Sequence, residues 1–154
     1  MAIIDLTTEN LDASRQQVKR LNADAERRWG EMDVVRMLRH LRTVIAISLG
    51  EVDEVKDISV PVVRNLIWFI FFVVFTNFPK SKLKAPDYWT PACDENFDAE
   101  RERLLSDMDR FVERLEKDPH EKQVTPLMGP LALTKWAHFH GVHFNHHLKQ
   151  FGIE

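Results

Sequence analysis

The residues with the most obvious capacity for chemistry are histidines. The segment Trp136 to Gly152 reads WAHFHGVHFNHHLKQFG and carries five of the chain's seven, at positions 138, 140, 143, 146 and 147. At about 100° per residue in a helix, Leu133, Ala137, His140, Phe144, Leu148 and Phe151 fall on one side. Trp136, His143 and His147 run along one edge of that stripe, whereas His138 and His146 point away from it. His143 and His147 are four residues apart, so their imidazoles leave successive turns of one face. That spacing lets two ring nitrogens reach one metal ion at about 2.0 to 2.1 Å. Two imidazoles make half a site, and only His40 and His120 remain to complete it. His120 lies in KDPHEK, read as a loop from its proline and charges, whereas His40 sits inside a predicted helix at the border of an apolar stripe. His40 is the better candidate. The other three read as core filler (His140), a hydrogen-bond donor behind the ligands (His138) and a surface residue (His146). Three neutral imidazoles leave a divalent ion with open positions for water, a thiolate or substrate oxygens, and zinc, nickel, copper and iron all accept them.

Five helical segments are predicted to position these residues. The first covers Thr8 to Asn22, with Thr8 as N-cap and a thin stripe of Leu11, Val18 and Leu21. The second, Asp33 to Leu49, starts at a capping carboxylate and closes at Gly50. It aligns Val34, Met37, Leu38, Leu41, Val44, Ile45 and Leu49 opposite Arg36, Arg39 and Thr43. The third covers Val62 to Thr76 and is apolar nearly all round. After a lysine-bearing loop, the fourth, Phe97 to Lys117, keeps Leu104, Leu105, Met108, Phe111, Val112 and Leu115 in register beneath alternating acids and arginines, read as a solvated face. The fifth starts near Thr134 as N-cap, after a loop containing PLMGPLAL, and stops at Gly152. At 154 residues, with no internal repeat and no linker, the chain reads as a single helical domain over 1–154.

Composition narrows the function classes. A formal charge of -3, with lysine and arginine dispersed among acids, argues against a nucleic-acid partner. A single cysteine, Cys93, rules out an internal disulfide and a cysteine-based zinc site. With no secretory signal pattern at Met1 onward, this points to the cytoplasm. The run LIWFIFFVVF, Leu66 to Phe75, falls short of the about 20 residues a spanning helix needs, so stable membrane insertion is not expected. It reads as a buried or dimer-facing helix. No glycine-rich phosphate loop and no recognisable nucleophile arrangement is present.

Three stretches carry a family resemblance: WGEMDVVRMLRHL (Trp29 to Leu41), FPKSKLKAP (Phe78 to Pro86) and TPLMGPLALTKWAHFHGVHFNHHLKQFG (Thr125 to Gly152). Together they resemble the DinB-like superfamily of metalloenzymes, in a bacterial branch of uncharacterised function. The resemblance implies an all-α fold, an antiparallel four-helix bundle with an additional short helix. It also implies a nickel or zinc ion held by one histidine of the second helix and two, four apart, of the last. By position these are His40, His143 and His147. The branch often carries histidine where this chain has Thr125. Some relatives are transferases or isomerases that use low-molecular-weight thiols, which makes a metal-dependent thiol transferase, or a hydrolase in which the metal activates water, one expectation, with Arg39 or Lys80, Lys82 and Lys84 as partners for an acidic thiol cofactor. The other is a non-catalytic metal-binding or stress-associated homodimer that associates through the aromatic helix.

Overall fold

A computed structural model describes residues 3–53, 55–70, 87–92, 94–126 and 128–154. Among them the chain is mostly helical: a 3-10 turn at Thr8–Asn10 leads into α1 (Leu11–Lys19), followed by α2 (Val34–Ser48), α3 (Pro61–Phe69), a 3-10 turn at Asp87–Trp89 and α4 (Phe97–Lys117). A two-stranded antiparallel hairpin, β1 (Lys122–Thr125) and β2 (Gly129–Ala132), then runs directly into α5 (Leu133–Gln150).

α2 forms as its sequence dictates. The Asp33 carboxylate accepts the Arg36 amide at 2.8 Å, and Gly50 adopts φ +72° just past the helix end. α4 matches its predicted span, capped by Asn96, whose side chain accepts the Ala99 amide. The first helix is shorter than predicted and enters through the 3-10 turn. Thr8 does not cap it: it lies within the 3-10 turn, and its hydroxyl donates to Glu116 on α4 at 2.6 Å. Thr134 does not cap α5 either: the helix starts one residue earlier, at the end of β2. The hairpin replaces the expected loop. Its turn is closed by Thr125, whose hydroxyl donates to the Gly129 carbonyl and accepts the Met128 amide. The predicted third helix forms over Pro61–Phe69 with Ile70 still in helical backbone, and the rest of its apolar run, from residue 71, lies outside the described residues.

α2 lies along α4, α1 packs on α4, and α5 packs on both α2 and α4. Met37, Leu38, Leu41, Val44 and Ile45 of α2 meet Leu104, Leu105, Met108 and Phe111 of α4 and Leu133, Trp136 and Leu148 of α5 in one core. The hairpin is pinned to this core by the Trp136 indole, which donates to the Gln123 carbonyl at 3.1 Å. At the other side of α5 the N-terminal segment crosses close: Leu6 donates its amide to the Ala137 carbonyl, and a Cβ at Gly141 would stand 2.5 Å from the Ile4 carbonyl oxygen. Only glycine admits that crossing. No helix among the described residues is long and apolar enough to cross a membrane.

Candidate metal centre

The three histidines singled out by spacing and resemblance come together. His40 from α2 and His143 and His147 from α5 each bring one ring nitrogen to a common point, all within 4.8 Å of one another, and all three side chains are buried. The ring centroids lie 4.7 to 4.9 Å apart, with the planes steeply inclined. Nε2 of His40 and Nε2 of His143 approach to 2.8 Å. Two of the outward-facing nitrogens have hydrogen-bond partners of their own: Nδ1 of His40 donates to the Trp89 carbonyl at 2.7 Å, and Nδ1 of His147 pairs with Gln150 Oε1 at 2.9 Å.

Burial sets the protonation state. Removal from water disfavours imidazolium, so His143 and His147 titrate well below the ordinary histidine range, each pushed further by neighbouring histidines. His40 is lowered as well, chiefly by burial, against the opposing pull of the Trp89 carbonyl. Metal ligation by histidine requires the neutral ring, so this donor set suits a divalent cation.

The remaining histidines separate from this trio. His140 is fully buried in the core, stacked on Trp136 and edge-on to Phe111, with Nε2 2.9 Å from Ser48 Oγ. His138 does not stand behind the ligands; it pairs with Asp5 at 2.8 Å and ties the N-terminal segment to α5. His146 is half-buried beside Trp29 and His147. His120 is exposed in the turn after α4. Arg39, proposed as a cofactor contact, reaches Glu100 at 3.6 Å. Lys80, Lys82 and Lys84 lie outside the described residues, as does Cys93.

Two groups at this site escaped sequence reasoning. Trp89 arrives from a 3-10 turn about 50 residues from His40. Gln150 lies in the last turn of α5, three residues after His147, a spacing that places both on one face and was there to be read.

A family model described as a protein of unknown function, DUF1569, matches residues 2–153. The chain belongs to that family. No curated protein and no solved structure matches it.

Proposed function

We propose that this protein is a DinB-like metalloprotein in which His40, His143 and His147 hold one divalent ion, zinc or nickel, in a site open to further ligands. The supporting observation is the convergence of three buried, neutral imidazoles from two helices, one nitrogen each within 4.8 Å. The mutual packing of α1, α2, α4 and α5 agrees with the four-helix bundle that the resemblance implies. Three donors fall one short of a closed tetrahedral set. An ion held there supplies a Lewis acid able to stabilise a thiolate or acidify water. The protein's own part is to keep the imidazoles neutral by burial, orient two of them through Trp89 and Gln150, and line the site with Trp89 and Phe139 against bulk water. We read the reaction class as thiol-dependent group transfer to a small electrophile.

Elemental analysis of the purified protein tests this reading. About one equivalent of zinc or nickel is expected per chain, with none in the His40→Ala/His143→Ala/His147→Ala variant. Metal content equal in the two proteins would remove the site. With the loaded protein, thiol conjugation across a panel of thiols and electrophiles distinguishes transferase from binding protein.

A second reading, a non-catalytic homodimer, is favoured by α3. None of its residues is buried, and Val62 (89% exposed), Leu66 (55%) and Phe69 (50%) stand in solvent beside Ile58 and Val60. Apolar faces of this kind mark interfaces. Light scattering should then give twice the chain mass of 18.1 kDa, reverting to one chain in Val62→Asp/Phe69→Asp. A monomeric wild-type protein would end this reading.

A further inference from the structure

The hydrogen bonds behind the three histidines are directional, and the direction can be worked out atom by atom. Gln150 is buried to 3% exposure, and its Nε2 lies 2.7 Å from the main-chain carbonyl oxygen of Trp29. A carbonyl oxygen only accepts, so the atom facing it must be the amide nitrogen, which settles which way the Gln150 amide points. Its Oε1 then faces Nδ1 of His147 at 2.9 Å. That oxygen also only accepts, so Nδ1 of His147 carries the ring proton. In a neutral ring Nε2 is then bare, with its lone pair directed at the histidine cluster. His40 follows the same logic through one bond: the Trp89 carbonyl accepts from Nδ1 at 2.7 Å, which leaves Nε2 of His40 as the acceptor facing His143.

The turn before α2 is shaped around this relay. Gly30 adopts φ +80°, and a Cβ there would stand 2.5 Å from Gln150 Nε2. The main chain doubles the tie, with the Arg28 amide donating to the Gln150 carbonyl at 2.7 Å. Trp29 is thus held where its carbonyl can receive the Gln150 amide.

We propose that Gln150 is a positioning residue for the metal centre: anchored on the Trp29 carbonyl, it locks His147 in the Nδ1–H tautomer and so presents Nε2 as a ligand. The inference rests on the three-histidine reading given above. A ring that donates from Nδ1 to an oxygen acceptor is oriented and made more basic at Nε2, and removal of such partners typically costs about 10- to 100-fold in metal affinity. Gln150 acts through His147 and does not itself touch the ion.

Three measurements test it. Long-range nitrogen–carbon NMR correlations of the imidazole rings, recorded on chelator-treated wild-type protein, should show His147 as the Nδ1–H tautomer. The Nε2–H tautomer would overturn the proposal whatever the variants do. Zinc titration against a competing chelator should find Gln150→Leu about 10- to 100-fold weaker than wild type. Gln150→Glu loses the donor to Trp29 but its carboxylate still accepts from Nδ1, so it should bind zinc more tightly than Gln150→Leu while melting no higher than that variant. A purely structural glutamine predicts that affinity and melting temperature fall together. Wild-type protein that binds no zinc would defeat the metal reading itself. Wild-type binding matched by Gln150→Leu would defeat the role of Gln150 alone.

Discussion

Replacing Glu100 by alanine is expected to lower the unfolding free energy by about 3–5 kcal/mol, the cost of stranding a buried partner charge. Glu100 has no solvent exposure, and its carboxylate joins Arg42 at 2.8 Å and Arg39 at 3.6 Å. Arg42 is itself only 16% exposed and reaches Asp107 at 2.9 Å, so the pair is a buried lattice between α2 and α4 rather than a surface bridge. Without Glu100, Arg42 keeps Asp107 alone in a poorly solvated place. At about 2–4 °C per kcal/mol for a chain of this size, the melting temperature should fall by roughly 6–20 °C. The double variant Glu100→Leu/Arg42→Met should recover most of the loss, because an apolar pair of similar volume escapes the desolvation cost. Chemical denaturation of wild type, Glu100→Ala and the double variant checks both statements. A loss under about 1 kcal/mol for Glu100→Ala would show the lattice to be solvated.

The second large effect is an acid-sensitive stability centred on His140. Ser48 donates its hydroxyl to the Ile45 carbonyl at 2.7 Å, so its oxygen is left to accept, and Nε2 of His140 must be the donor across 2.9 Å. Nδ1 is then a bare acceptor with no hydrogen-bond partner among the described residues. A proton added there would create a cation in the core, and burial pushes the His140 pKa down to about 3 from an ordinary 6.5. The folded value is the lower of the two, so the unfolded chain takes up the proton first. Stability from this group is complete above pH 6.5 and drains as pH falls from there towards 3. The slope approaches about 1.4 kcal/mol per pH unit, on the order of 5 kcal/mol across the interval. Burial lowers His40, His143 and His147 in the same sense. Urea unfolding of wild type and His140→Leu at a series of pH values should show a shallower acid limb in the variant. Parallel limbs between pH 6.5 and 4 would contradict the assignment.

How far the amino-acid sequence reached depends on the kind of signal each element carried. α2 and α4 were legible to within a residue because an Asp or Asn cap, a 3.6-residue apolar period and a chargeable outer face all agreed. His143 and His147 were legible for a related reason, since one helix fixes the distance between positions four apart. His40 was less so: pairing residues 103 positions apart is a tertiary event, and its selection needed the elimination of His120 and the family resemblance. Glu100 was misjudged. Amid ERERLLSDMDR it reads as one more solvated acid, and only the arrival of Arg39 and Arg42 from α2 makes it an interior residue. The hairpin went unread because β1 and β2 are four residues each, too short for alternation to stand out, with Pro126 and Pro130 suggesting a loop. His138 was assigned to the site through its neighbours on α5, whereas its partner Asp5 comes from a segment that no helical pattern connects to it.

The crossing of the N-terminal segment over Gly141 has a consequence for when this protein becomes competent. Ile4 and Leu6 can seat only against a finished α5, and His40 can meet its partners only when that same helix exists. The helices α1, α2 and α4 precede it in the chain and can associate during synthesis, as earlier segments generally do. The histidine cluster cannot. It is made of contacts between distant parts of the chain, the slowest kind to form, so its assembly waits for α5 to leave the ribosome. A nascent chain therefore carries His40 as a lone imidazole, and whatever the completed cluster binds is acquired after translation has passed His147.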